Sequence, residues 1–298
     1  MAQHDPSRSW PERHVRALAG EIGERNVFRP AALSAAADYI AGTWRGQGYE
    51  VTGQAYEVLG VQCANLEAIK RGATRTNEVL LIGAHYDTVP GSPGANDNGS
   101  GVGALLELSR LFAHSTPAVT VRFVAFVNEE PPFFMTDRQG SAVYAKAARA
   151  RGDDIRLMVS LETIGCFRHT RGSQSYPPLF RLFYPDCGDF LALVSNLNSL
   201  FVTRHIARVF RGHSDVPLEY AGVPSFVPGV SWSDHRSFWK QGYRACMVTD
   251  TAFYRYPYYH TPEDTPDKLS YRELGRVVEG LYLTLADIAT NGLGNLWA

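Results

Sequence analysis

Two histidines and five carboxylates draw attention, because each ends an apolar segment or lies in the turn just after one. His85 and Asp87 close "EVLLIGAHYD", and Asp97 sits in "NDNGSG". Glu129 and Glu130 close "TVRFVAFVNEE", Glu162 lies in "LMVSLETIG", and His260 follows the last apolar segment in "YYHTPEDT". Imidazole nitrogen and carboxylate oxygen are the donors that zinc takes, about four to each ion. Taken singly, most have plainer explanations. His85 reads as a hydrogen-bonded loop residue, Asp97 as a cap for a helix beginning near Ser100, and the Glu pair as a solvated strand end. Glu162 resists such a reading, since a carboxylate among apolar neighbours must be paired or protonated. Five separate coincidences are harder to accept than one cluster.

Two histidines and three carboxylates serve two zinc ions if one carboxylate bridges them, and Asp97, on a short turn between the other donors, is the natural bridge. Asp87 is two residues beyond His85 on an extended chain, so it can accept the second imidazole N–H and fix the tautomer. Glu129 and Glu130 are strand neighbours and point in different directions. One of them can therefore be a ligand while the other remains an unliganded carboxylate, suited to be a general base.

To gather these donors the strand ends must converge. Helical patterns occupy roughly 11–23 and 33–47, and alternating segments near 49–59 and 64–70 read as edge strands. Strands and helices then alternate: strand 78–87, helix 101–114, strand 120–130, helix 140–152, strand 155–165. A helix is expected over 188–206, an apolar strand over 244–250, and a closing helix from about 270 to 291. This alternation predicts an α/β fold with a mainly parallel twisted sheet and helices on both faces. In such sheets ligands bind beyond the carboxyl ends of the strands, where the donors fall. The irregular, aromatic stretch around 163–190 reads as a lid or loop insertion within a single domain spanning 1–298.

Composition narrows the partners. The chain of 298 residues has a formal net charge of -1 and is 45% hydrophobic and 20% charged, which suits one soluble domain with a large core. It has no basic block of the kind that tracks nucleic acid, and no apolar run long enough to span a membrane. Four cysteines, Cys63, Cys166, Cys187 and Cys246, lack metal-binding spacing and read as mostly free thiols. The first thirty residues are polar and without a leader pattern, so the expected location is cytoplasmic.

Five motifs in order, "HYDTVPGSPGANDNGSG", "FVNEEPPFF", "SLETIG", "SDHRSFW" and "YYHTPEDTPDKL", resemble the M28 family of zinc peptidases over about residues 79–290. The resemblance implies a zinc-exopeptidase fold and an aminopeptidase acting on peptides or amino-acid amides. It also implies two zinc ions, one held by His85, Asp97 and Glu162 and the other by Asp97, Glu130 and His260, with Glu129 as base. A cis peptide bond between Asp97 and Asn98 is a further implication. Glu162 departs from the family pattern, which has Asp there. "SDHRSFW" is also similar to the matching segment of glutaminyl cyclases, relatives that use one zinc. Asp234 is thereby a candidate for proton relay or support of the site, or alternatively a helix cap, and His235 is expected to be structural. Phe253, Tyr254, Tyr256, Tyr258 and Tyr259 flank His260, and Phe253, Tyr256 and Tyr259 in particular are candidates to wall a side-chain pocket. Glutaminyl cyclase-like acyl transfer and an inactive binding domain of the same fold are the alternatives.

Overall fold

The structure is a computed structural model and describes residues 10–292; residues 1–9 and 293–298 of the expected domain lie outside the described residues. The buried strands of the sequence become the middle of one sheet. In chain order the strands are β1 (Val51–Val58), β2 (Val61–Lys70), β3 (Arg75–His85), β4 (Val119–Phe126), β5 (Asp154–Glu162), β6 (Leu191–Ser195), β7 (Leu218–Gly222) and β8 (Ala245–Thr249). In space they run β1-β2-β4-β3-β5-β8-β6-β7. The four strands β4, β3, β5 and β8 are mutually parallel, so their carboxyl ends share one edge. β1 and β2 extend the sheet antiparallel on one side, while β6 reverses against β8 and β7 runs parallel to β6 on the other.

The helices are α1 (Trp10–Val15), continued by a π-helical segment Arg16–Ile22, then α2 (Pro30–Gly46), α3 (Gly101–Ala113), α4 (Gly140–Arg151), α5 (Leu200–His213), α6 (His235–Lys240) and α7 (Tyr271–Asn291). The period of two along each strand divides them between the faces. Leu80, Ile82 and Ala84 of β3 join the larger core with α2, α3, α5 and α7, while Val79 and Leu81 join Tyr144, Ala145, Ala148 and Phe238 of α4 and α6. Over β6 and β7 this second face is lined by loop residues from 174–190 and 223–232, which surround a cavity.

The helix expected over 188–206 is a strand followed by a helix. Leu191 and Leu193 are buried in the larger core, and Ala192 and Val194 line the cavity with Leu193 at its edge, so the segment must cover two faces, as a strand does. Asn196, whose side-chain oxygen accepts the Ser199 N–H at 3.0 Å, starts the helical turn that leads into α5. β7 was not expected from the sequence.

Candidate active site

Four parallel strand ends deliver the donors to one place. His85 is the last residue of β3 and Glu162 the last of β5, Glu129 and Glu130 follow β4, and His260 lies in the loop after β8. Asp97 sits in the turn before α3, joined to Asn98 by a cis peptide bond. His85, Asp97, Glu129, Glu130 and Glu162 are all at most 6% exposed. The backbone bends sharply here: Asn128 (φ 60), Thr163 (φ 46) and His260 (φ 60) are all left-handed non-glycine residues at or next to a donor.

Asp97 is the centre of the cluster. Its Oδ1 lies 3.2 Å from His85 Nε2, which is itself 3.3 Å from Glu162 Oε2. Its Oδ2 lies 3.0 Å from His260 Nε2, which is 3.3 Å from Glu130 Oε2. One N–H cannot serve two oxygens well, and among the described residues Asp97 Oδ1, Glu130 Oε1 and His260 Nε2 are buried without a well-formed hydrogen bond. Donor atoms bound at zinc distances of about 2.0–2.1 Å in a tetrahedron lie about 3.3 Å apart. The spacing is therefore that of atoms that could share a metal rather than bond to one another, and His85, Asp97 and Glu130 bring ligand atoms within 4.8 Å of one another.

The electrostatics agree. Burial, reinforced by the charges of Glu130 and Glu162 although His85 opposes it, holds Glu129 well above the usual carboxylate range. Burial and the neighbouring Asp97 push Glu130 up to about 7. His260 is raised to about 10, because Asp97 and Glu130 outweigh the burial that would lower it. A pocket so rich in buried negative charge is relieved by a divalent cation.

Neighbouring residues hold the donors. Asp264 accepts the backbone N–H of Asn96 at 2.8 Å and of Asp97 at 3.1 Å. The Asn98 side chain donates to Leu161 O at 2.8 Å and accepts the N–H of Thr163 and of Gly101, both at 3.1 Å, tying the Asp97 turn to the end of β5. A Cβ on Gly101 would lie 2.2 Å from Asn98 Oδ1, so that contact requires glycine. Ser233 donates to Glu162 Oε2 at 2.8 Å. Beneath the turn, the fully buried Arg25 donates from Nε to Tyr86 O (2.6 Å), from Nη1 to Pro93 O (2.6 Å) and from Nη2 to Gly94 O (3.0 Å).

Several expectations change in detail. Asp87 does not take the imidazole N–H of His85: His85 Nδ1 lies 3.2 Å from the backbone oxygen of Asp87 and 3.6 Å from its carboxylate. The carboxylate instead accepts the backbone N–H groups of Glu129 (3.0 Å) and Glu130 (3.1 Å), which would otherwise be buried and unpaired. Phe253 and Tyr259 line the cavity beside Glu162, but Tyr256 does not; it is buried and donates its hydroxyl to Asp264 at 2.7 Å. Tyr259 stacks on His260, with ring centroids 3.9 Å apart. Asp234 is fully buried, does not cap α6, and is raised to about 7, chiefly by burial. His235 is buried and its Nε2 lies 2.8 Å from Val230 O, away from the donors.

Sequence reasoning missed Asp264, Ser233 and Arg25. Asp264 stands in "YYHTPEDTPDKL" four residues after His260, so the motif held a signal for it. Arg25 held none, because the partners that tie it to the turn are the backbone carbonyls of Tyr86, Pro93 and Gly94, far away in sequence.

The profile of Peptidase family M28 matches residues 65–285, and the chain belongs to that family. An uncharacterized protein, YfbL, of Escherichia coli (strain K12) is 37% identical over 283 residues, covering 92% of this chain and 86% of that one. A probable zinc metalloprotease of Pyricularia oryzae (strain 70-15) is 27% identical over 289 residues, covering 83% of this chain, which spans 55% of the length of that relative. Among solved structures, a zinc aminopeptidase from Bacillus subtilis, BSAP, shares the fold with a TM-score of 0.77 at 15% identity, covering 95% of each chain. A Fimbriiglobus ruber glutaminyl cyclase does so with a TM-score of 0.67 at 21% identity, covering 94% of each. The family and the site together define a metallopeptidase-type protein. Among the described residues no helix is long and apolar enough to cross a membrane.

Proposed function

We propose that the protein is a two-zinc aminopeptidase that removes N-terminal residues from peptides. The observation that carries this reading is the division of Asp97, one oxygen facing His85 and Glu162, the other facing His260 and Glu130. His85, Asp97 and Glu162 would hold one ion, and Asp97, Glu130 and His260 the other. The longer Glu162 is accommodated through its hydrogen bond from Ser233.

Zinc in these positions would supply Lewis acidity and make water a nucleophile near neutral pH. Among the described residues, Asp97, Glu130 and Glu162 each lie against a histidine and Glu129 does not; Gln139 Nε2 lies 3.3 Å from its Oε1. Left without a metal to bind, its carboxylate would take the proton of the attacking water and return it to the leaving amine. Residues 163–190 act as a lid on the cavity beside Glu162. The protein would be met as an enzyme of peptides or amino-acid amides.

A single-zinc glutaminyl cyclase-like transfer is the second reading, favoured by the fully buried Asp234, whose carboxyl is raised to about 7, chiefly by burial. One experiment separates the two. Metal per chain is counted by elemental analysis, and the same sample is offered aminoacyl 4-nitroanilides and a peptide with N-terminal glutamine. About two zinc ions with anilide hydrolysis supports the aminopeptidase; one zinc with ring closure and no hydrolysis supports the cyclase. Full zinc loading with neither reaction supports a binding domain.

A further inference from the structure

The cavity beside the metal-type donors spans about 870 Å³ with its open mouth included and is walled by aromatic residues, among them Tyr176, Phe180, Tyr184, Phe190 and Phe253. Its lining also includes a carboxylate far from the cluster, Glu219 of β7. Among the described residues no hydrogen bond or ion pair engages the Glu219 carboxylate, which is half-buried. Its charge is felt by Tyr184 and Tyr176, whose pKa values burial raises first and Glu219 further. Partner choice is thus left to whatever enters.

The sheet register fixes where Glu219 lies. Glu162 pairs with Thr249, Thr249 with Ala192, and Ala192 with Glu219. Residues paired across strands point to the same face, so these four form one row on the face that carries the cavity. Three strand spacings of about 4.8 Å separate the ends by roughly 14 Å. Between the two carboxylates the floor is made by Thr249 and Ala192, whose small side chains leave a trough.

We propose that this trough is a specificity pocket for a substrate residue with a long apolar stem and a cationic end, lysine or arginine, whose charge pairs with Glu219. The inference rests on the aminopeptidase reading for the position of the scissile bond, beside Glu162. From a Cα seated above Thr249, a leucine side chain ends after about 4 Å, over Ala192, whereas an extended lysine or arginine reaches about 6–7 Å, within range of the Glu219 side chain. The aromatic walls suit both parts of such a side chain, packing its methylenes and attracting its charge through their faces. Glu219 is half-buried, so an arginine there would pair with it, whereas a purely apolar residue would displace part of its water and offer no hydrogen bond in return.

The test compares arginine, lysine, norleucine and leucine 4-nitroanilides on the zinc-loaded protein and on Glu219→Gln. Norleucine has the stem of lysine without its charge. The expected result is a kcat/KM for arginine or lysine at least about 10-fold above norleucine, lost in Glu219→Gln, with leucine and norleucine rates unchanged. A wild-type preference for leucine or norleucine, or an equal loss on all four in Glu219→Gln, overturns the proposal. If no anilide is cleaved, the aminopeptidase reading has failed separately, and the pocket is judged by calorimetry with argininamide and norleucinamide. Tighter binding of argininamide that Glu219→Gln abolishes upholds the pocket; equal binding of the two overturns it.

Discussion

The carboxylate of Asp87 accepts the backbone N–H of Glu129 at 3.0 Å, and through its other oxygen that of Glu130 at 3.1 Å. Asp87 therefore fixes the main chain of the glutamate pair, and their side chains diverge toward different tasks. Glu130 reaches His260, while Glu129 lies beside Gln139.

The two glutamates should fail differently. Glu129→Gln keeps the size and removes the proton acceptor, so kcat should fall on the order of 100-fold or more with metal content unchanged. Glu130→Gln replaces an anionic donor with a neutral one, so it should lose metal first and recover partly in excess zinc. Elemental analysis beside steady-state rates checks both, and metal loss in Glu129→Gln would reverse the assignment.

Exhaustive chelation should abolish hydrolysis and lower the melting temperature, with zinc restoring both, because an ion that binds only the folded chain stabilises it by mass action. Thermal melts with and without chelator read this independently of turnover. An unchanged melting temperature together with surviving activity would remove the metal from the reading.

Arg25 underlies the turn that carries Asp97, and each guanidinium nitrogen meets a backbone carbonyl. Arg25→Met leaves the carbonyls of Tyr86, Pro93 and Gly94 without that donor, and should cost about 3 kcal/mol or more of stability. Arg25→Lys keeps a charge but has no planar fork, so it should recover only part. Urea unfolding of the three proteins measures this; a loss under about 1 kcal/mol in Arg25→Met would show that the loop does not depend on it.

Phe253 and Tyr256 lie in the same loop but face differently. Phe253→Ala should change the relative rates among substrates, since the residue lines the cavity. Tyr256→Phe removes the hydroxyl that reaches Asp264, so it should lower rates on all substrates by a similar factor or lower stability by about 1 kcal/mol. A shift in substrate ratios with Tyr256→Phe instead would return that residue to the pocket.

His14 makes stability depend on pH. Burial, with the charges of Arg13 and Arg110, lowers its pKa from 6.5 to about 4, and Tyr39 Oη lies 2.7 Å from its Nδ1. The unfolded chain takes up a proton near 6.5 and the folded one near 4, so this contribution is present above pH 6.5 and is lost as pH falls toward 4. The loss is about 1.4 kcal/mol per unit of pH across that window. Chemical denaturation at pH 7 and pH 5 should show a smaller pH dependence in His14→Gln than in the parent; an equal dependence would assign the slope to other groups.

The central fold and the candidate donors could be read from residue type and spacing alone. Buried strands ending in His85, Glu129, Glu130 and Glu162, with helices between them, leave little choice but a parallel sheet with polar ends at one edge, because apolar periodicity and strand direction are local properties. Local patterns failed at Leu191–Ser195, where an apolar run fits strand and helix alike until the two faces it must cover are known. Only tertiary structure decided which oxygen of Asp97 faces which imidazole, that Asp87 holds the backbone of the glutamates, that Tyr256 serves Asp264, and that Arg25 lies under the turn. Each of these depends on chain segments far apart in sequence meeting at a distance of a few ångströms, which residue type and spacing do not encode. The row from Glu162 to Glu219 is of the same kind: strand register, set by packing across the whole sheet, aligns two carboxylates that are 57 positions apart in the chain.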